Sequence, residues 1–215
     1  MKRDDIKKLV IVKLEEHSPF GPLDNQSGPL LSGGNDLKEV KPIYSYIDAS
    51  IVEAGNEMLR IAPLNKLIPE QWIPNHVHPN PMRPHTGHFE LPDDFIRLHT
   101  LLMFGWRRPV HRAIMPEDDD FHDQDYEATA GNCWKPTATI DGTNIYYYSL
   151  PYGCHHKVEE FLYVPDYLHT FEFTDAVGEL IALNCARKVY DVFGNTEGSS
   201  IMAKEIATKL ENLKV

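Results

Sequence analysis

The residues best equipped for chemistry are four histidines in a proline-rich stretch: His76, His78, His85 and His88. A zinc site on a rigid scaffold takes histidines separated by roughly three to five intervening residues. His76-x-His78 and His85-x-x-His88 both fall short of that spacing, and His155-His156 merely follow Cys154. The histidines therefore read as polar loop and packing residues, with a metal-binding enzyme using the His76/His78/His85/His88 cluster as an alternative. A second candidate is the run Glu117–Glu127, where Asp118, Asp120, Asp123 and Asp125 could meet a hard cation. A calcium loop of the helix–loop–helix kind needs a glycine at its sharp turn, and this run has none. It reads as a solvated or protein-binding surface. The third is Trp106 with Arg107, Arg108 and Arg112, which suits nucleic acid or acids on a neighbouring chain. No G-x-S-x-G, phosphate loop or G-x-G-x-x-G is present. No catalytic residue, cofactor-binding residue or metal ligand is assigned, and no cofactor is expected.

Composition sets the bounds around these residues. The chain has 215 residues, enough for one domain with an elaborate insertion. Its 42% hydrophobic and 25% charged residues are those of a globular protein with a real core. The formal net charge of −11 argues against wrapping nucleic acid by phosphate neutralisation, and favours the protein-facing reading of the arginines. The first residues lack the apolar run of a signal peptide, and no stretch is long enough to span a membrane. Cys133, Cys154 and Cys185 are widely spaced and odd in number, so they read as thiols kept reduced in a bacterial cytoplasm.

The elements that must position these residues follow from periodicity. Residues Arg3 to Glu16 carry Ile6, Leu9, Val10 and Leu14 at helical spacing, with Asp4 and Asp5 complementing the helix N-terminus. Ser18-Pro19 ends that helix, and Phe20 to Lys41 reads as a long Gly/Pro/Ser/Asn loop. After Pro42, the series Ile43, Ile47, Ile51, Ala54, Met58 and Ala62 predicts a second helix, which Pro63 ends. Six prolines between Pro63 and Pro84 exclude helix and central strand there. Residues His88 to Trp106 read as strand, Leu91-Pro92-Asp93-Asp94 turn, strand. Thr137–Ile140 and Asn144–Leu150 form a hairpin across Asp141-Gly142, and Glu159–Val164 is a further strand. A helix starts at Thr174 or Asp175 and closes at Gly194, and Ser199 or Ser200 caps a last one through Ile201, Ile206 and Leu210. The expected fold is α+β: a helical bundle of residues 1–62 and 172–215, carrying a β-rich, proline-rich insertion at 63–171.

From residue 42 onward the order of short motifs resembles virion proteins of crAss-like phages that infect Bacteroides. The resemblance lies in the second helix through Ala62-Pro63-Leu64. It continues in Phe89, Leu91, Pro92, Asp94, Phe95, Arg97 and Leu98, and in Gly105, Trp106, Arg108, Pro109 and Val110. Later matches are the strand Ile145–Leu150, the run Glu159–Pro165 and the C-terminal helix pair. The element order is similar to podovirus-type head-tail adaptors. The resemblance implies a ring protein of the head-to-tail connector, dodecameric and seated below the portal. Such a ring extends the DNA channel, passes DNA without binding it specifically, and docks further connector or tail ring proteins. It is made in the bacterial host cytoplasm, resides in the virion and involves no membrane. A tail or host-binding module presenting Tyr146, Tyr147 and Tyr148 is the remaining alternative.

Overall fold

A computed structural model describes residues 1–16, 43–126 and 131–214. The Phe20–Lys41 loop, with its preceding Ser18-Pro19 stop, lies outside the described residues. Four helices are α1 (Arg3–Glu16), α2 (Ile43–Ile61), α3 (Asp175–Val192) and α4 (Thr196–Leu213). Between α2 and α3 run β1 (Glu70–Gln71), β2 (His78–Pro79), β3 (Gly87–Glu90) and β4 (Phe95–Met103), then β5 (Ala138–Asp141), β6 (Asn144–Tyr147) and β7 (Val158–Pro165). The fold is α+β, with helices at both ends of the chain and antiparallel sheets between them. The chain divides into a helical unit, Met1–Ile68 with Asp166–Val215, and a β-unit, Pro69–Pro165.

In the helical unit α3 is the centre, and α1, α2 and α4 all pack on it. Its sequence explains this, because Val177, Leu180, Ile181, Leu183, Cys185 and Val189 are buried on nearly every side. A helix that is apolar all round must be enclosed by others. The outer helices bury single stripes, Ile6, Val10 and Leu14 on α1 and Ile47, Ile51, Ala54 and Met58 on α2. Gly194 leaves α3 at φ +69°, the left-handed conformation that closes helices. The cap of α4 differs from the sequence expectation: Asn195, not Ser199 or Ser200, caps it, its side chain accepting from the Gly198 N–H at 2.9 Å. The asparagine directly after the closing glycine meets the free amides first, and both serines fall inside the helix.

The β-unit holds two antiparallel sheets, ordered β1-β7-β4 and β2-β3-β6-β5. The prolines confine their segment to the two-residue strands β1 and β2, each at a sheet edge, and to one 3-10 turn at Leu64–Lys66. The hairpin at Asp141-Gly142 forms, with Ile140 opposite Ile145 and Gly142 at φ +59°. Its second strand stops at Tyr147 rather than Leu150, because Ser149 sits at φ +72° and leaves strand geometry.

The strands around Pro92 depart from the simple strand–turn–strand reading. Phe95 N–H closes the turn on the Pro92 carbonyl at 3.0 Å. However, β3 pairs with β2 and β6 while β4 pairs with β7 in the other sheet. Both edges of β3 are already used, and Leu91 N–H extends its pairing to the Thr143 carbonyl at 2.8 Å. The turn is therefore a crossover between sheets. Both sheets contribute to one core, in which Phe89, Leu98, Leu101, Ile145, Tyr147 and Phe161 are buried.

Candidate functional site

The histidine candidates meet as a pair, not as a tetrad. His78 lies opposite His88 across β2 and β3, and their rings stack with centroids 5.1 Å apart. His76 stands 6.4 Å from His78, and His88 packs on Tyr146 at 5.3 Å. Among the described residues no three His, Cys, Asp or Glu side chains gather to hold a metal ion. A different histidine is built into the β-unit. His156 donates from Nε2 to the Pro84 carbonyl at 2.9 Å, which leaves Nδ1 to accept the Tyr147 hydroxyl at 2.6 Å. That choice of tautomer follows from the carbonyl, which can only accept. Burial pushes the Tyr147 phenol above its usual range, so it stays a donor.

The three tyrosines alternate as strand residues do. Tyr147 is buried, while Tyr146 and Tyr148 are half-buried on the other face, with Tyr148 Oη 3.2 Å from Thr139 Oγ1. Tyr147 passes so close to β3 that a Cβ on Gly87 would lie 2.2 Å from its hydroxyl oxygen. Only glycine fits there.

The described part of the acidic run, Glu117–Tyr126, is a turn held at Asp118 and Gln124, and Glu127 lies outside the described residues. Asp118 accepts the Met115 N–H at 2.9 Å and pairs with Arg112 at 2.8 Å. Arg112 thus meets an acid of its own chain, where the sequence suggested a neighbour's. Buried Gln124 accepts the Thr137 hydroxyl at 2.8 Å, fixing the one-turn 3-10 helix His122–Asp125. Glu117, Asp119, Asp120 and Asp123 are exposed. Arg107 lies over the Trp134 ring at 5.8 Å, while Trp106 is buried. The free thiols divide the same way: Cys133 and Cys154 are half-buried, and Cys185 is buried, its thiol pushed up to about 12 by loss of solvent.

Sequence reading missed a polar network between α2 and α3. Asn184, 1% exposed, donates from Nδ2 to the Ala54 carbonyl at 3.1 Å and to Glu57 at 2.8 Å. It also accepts from Arg187 Nε at 3.1 Å, and Lys188 pairs with Glu57 at 2.8 Å and Glu53 at 3.0 Å. A lone asparagine inside the apolar run Leu180–Ala186 was the available signal. Burial opposes ionisation of Glu57, but the hydrogen bonds from Lys188 and Asn184 outweigh it and hold the carboxyl below its usual 4.5. The folded chain therefore binds this proton more weakly than the unfolded chain does. The resulting stability is complete above pH 4.5 and is lost as pH falls through the folded value. Glu57→Gln should lower the melting temperature at neutral pH and flatten its fall in acid, as read by melting curves between about pH 3 and pH 7. An acid slope equal to that of the unaltered chain would count against this role for Glu57.

The helical unit also contains a cavity of about 500 Å³. The start of α1 supplies Lys2, Arg3, Asp4 and Lys7, and α2 supplies Asp48, Ile51 and Val52. The segment before α3 completes it with Tyr167, Leu168 and Phe171. Lys7 pairs with Asp48 at 2.7 Å, and Arg3 Nη1 donates to the Leu168 carbonyl at 2.9 Å. Tyr167 is 2% exposed, and its hydroxyl has no hydrogen-bond partner among the described residues. Burial pushes that phenol up to about 12, although Arg3 pulls it down.

In comparisons with known proteins, no family model matches the chain, and no curated protein matches it. Among the described residues no helix is long and apolar enough to cross a membrane.

Proposed function

We propose that the chain is a non-catalytic ring subunit of a bacteriophage head-to-tail connector. It assembles as a dodecamer below the portal, extends the DNA channel and docks further connector or tail ring proteins. The observation that carries this reading is the motif run from Phe89 to Val110 and what it does in the fold. Phe89 and Leu98 are core residues of the two sheets, and Pro92 turns the chain between them. Asp94 accepts the Tyr163 hydroxyl at 3.0 Å and Phe95 stacks on the same ring. Gly105 takes φ +88° before buried Trp106, and Val110 pairs back onto Leu101. These motif residues thus build the crossover and the core of the β-unit, which is what supports the reading.

The charge supports the same reading. A surface of net charge −11 lets DNA slide past without the counterion release that makes it bind. Function in such a subunit lies in its surfaces, and symmetric assembly multiplies each of them. The test is the mass and electron-microscopic appearance of the purified chain, alone and with portal. Rings of portal symmetry are expected on the portal. A chain that stays monomeric with portal present overturns the reading.

A further inference from the structure

The cavity of the helical unit has a charge balance opposite to that of the whole chain. Three cations, Lys2, Arg3 and Lys7, line it with two acids, Asp4 and Asp48, in a chain of net charge −11. Lys7 and Asp48 neutralise each other. Among the described residues Arg3 makes one side-chain hydrogen bond, and the Lys2 ammonium makes none. Beside these donors stand Ile51, Val52, Leu168 and Phe171, the last of them 81% exposed. Tyr167, which also lines the cavity, has a buried hydroxyl with no hydrogen-bond partner among the described residues. Donors for an anion next to an apolar wall suit a carboxylate carried beside an exposed aromatic or aliphatic side chain.

That chemistry is present on the chain itself, in the acidic turn of the β-unit. Glu117, Asp119 and Asp120 are exposed there between Met115, 41% exposed, and Tyr126, 67% exposed. The turn is held in shape by Asp118, Arg112 and Gln124, so little conformational entropy is lost when it docks. We infer that the cavity of one copy receives the acidic turn of a second copy. Cavity and turn are different surfaces, so the contact is heterologous, and a heterologous contact builds a ring when its rotation closes. The inference rests on the ring reading and specifies one of its interfaces.

The experiment is a charge swap in the full chain, read as ring formation on portal by mass and electron microscopy. Lys2→Glu with Arg3→Glu reverses the cavity, and Glu117→Lys with Asp119→Lys reverses the turn. Each reversal should raise the concentration needed for rings by about tenfold or more, and both reversals in one chain should restore it. Phe171→Ala removes a side chain that the isolated fold leaves exposed, and it should weaken assembly with an unchanged melting curve. Rings that form equally well in the single reversals, or that the double reversal does not restore, overturn the cavity contact and leave the ring reading standing. Failure of the unaltered chain to form rings overturns both.

Discussion

Phe161→Ala should be among the most damaging single truncations in the β-unit, costing about 3–5 kcal/mol. Phe161 lies on β7, the central strand of its sheet, and is 1% exposed. Its ring meets Trp72 at 5.6 Å and Phe89 at 5.5 Å, both edge to face, and stacks on Phe95 and Tyr163 at 6.4 and 6.0 Å. Phe89 belongs to the other sheet, so this one side chain joins both layers of the core. Truncation leaves a cavity walled by rings, which are too rigid to collapse into it. A loss of that size is a large share of the roughly 5–15 kcal/mol that a typical domain possesses. Urea unfolding followed by Trp fluorescence should show a lower midpoint with an unchanged slope. A loss below about 1 kcal/mol would mean that the core does not depend on this junction.

Gly55→Ala should also destabilise, by about 1–3 kcal/mol, although alanine is the better helix former. The position is in the middle of α2, where alanine in open space would gain about 1 kcal/mol over glycine. Here an added Cβ would stand 2.5 Å from Tyr167 Cδ2, 2.7 Å from its Cγ and 2.9 Å from its Cβ. These atoms are the root of the tyrosine, not its flexible end, so the residue must move as a whole. Tyr167 N–H is bonded to Asn56 Oδ1 at 2.8 Å, and its ring stacks on Phe173 at 5.4 Å. Steric cost therefore exceeds the propensity gain, and the melting temperature should fall. Serine should be no better than alanine, since both carry the offending atom. A melting temperature raised by Gly55→Ala would show that Tyr167 relaxes freely.

The parts legible in the sequence are those set by neighbours in the chain. The stripes of α1 and α2 repeat at the helical period, Asp141-Gly142 writes its own turn, and Gly194 its own stop. The prolines between 63 and 84 speak against α-helix and central strand because each removes a donor. Pairing between strands is different, since β3 and β4 adjoin in sequence but each finds a partner far along the chain, Gly87 on Tyr147 and Arg97 on Val164. Nothing local says that β3 is paired on both edges in one sheet while β4 belongs to the other. Residue type alone does not single out Asn195 as the cap, because serine caps equally well and two serines follow it. The cavity was invisible for a related reason. It draws on residues 2–7, 48–52 and 167–171, three windows that nothing in the sequence links. The histidines read as loop and packing residues, and His78 and His88 meet as a stacked pair.

The neck of the β-unit bears on how the chain folds during synthesis. The segment leaves the helical unit at Ile68 and returns at Asp166, and Glu70 on β1 pairs with Tyr163 on β7. Once those strands pair, the intervening residues no longer count as a long flexible loop between α2 and α3. The entropy of closing that loop is then met inside the β-unit by its own core. Until Asp175–Val192 leaves the ribosome, α1 and α2 lack the helix that buries their apolar stripes. The β-unit, whose strands are complete by Pro165, can therefore fold before the last two helices are made.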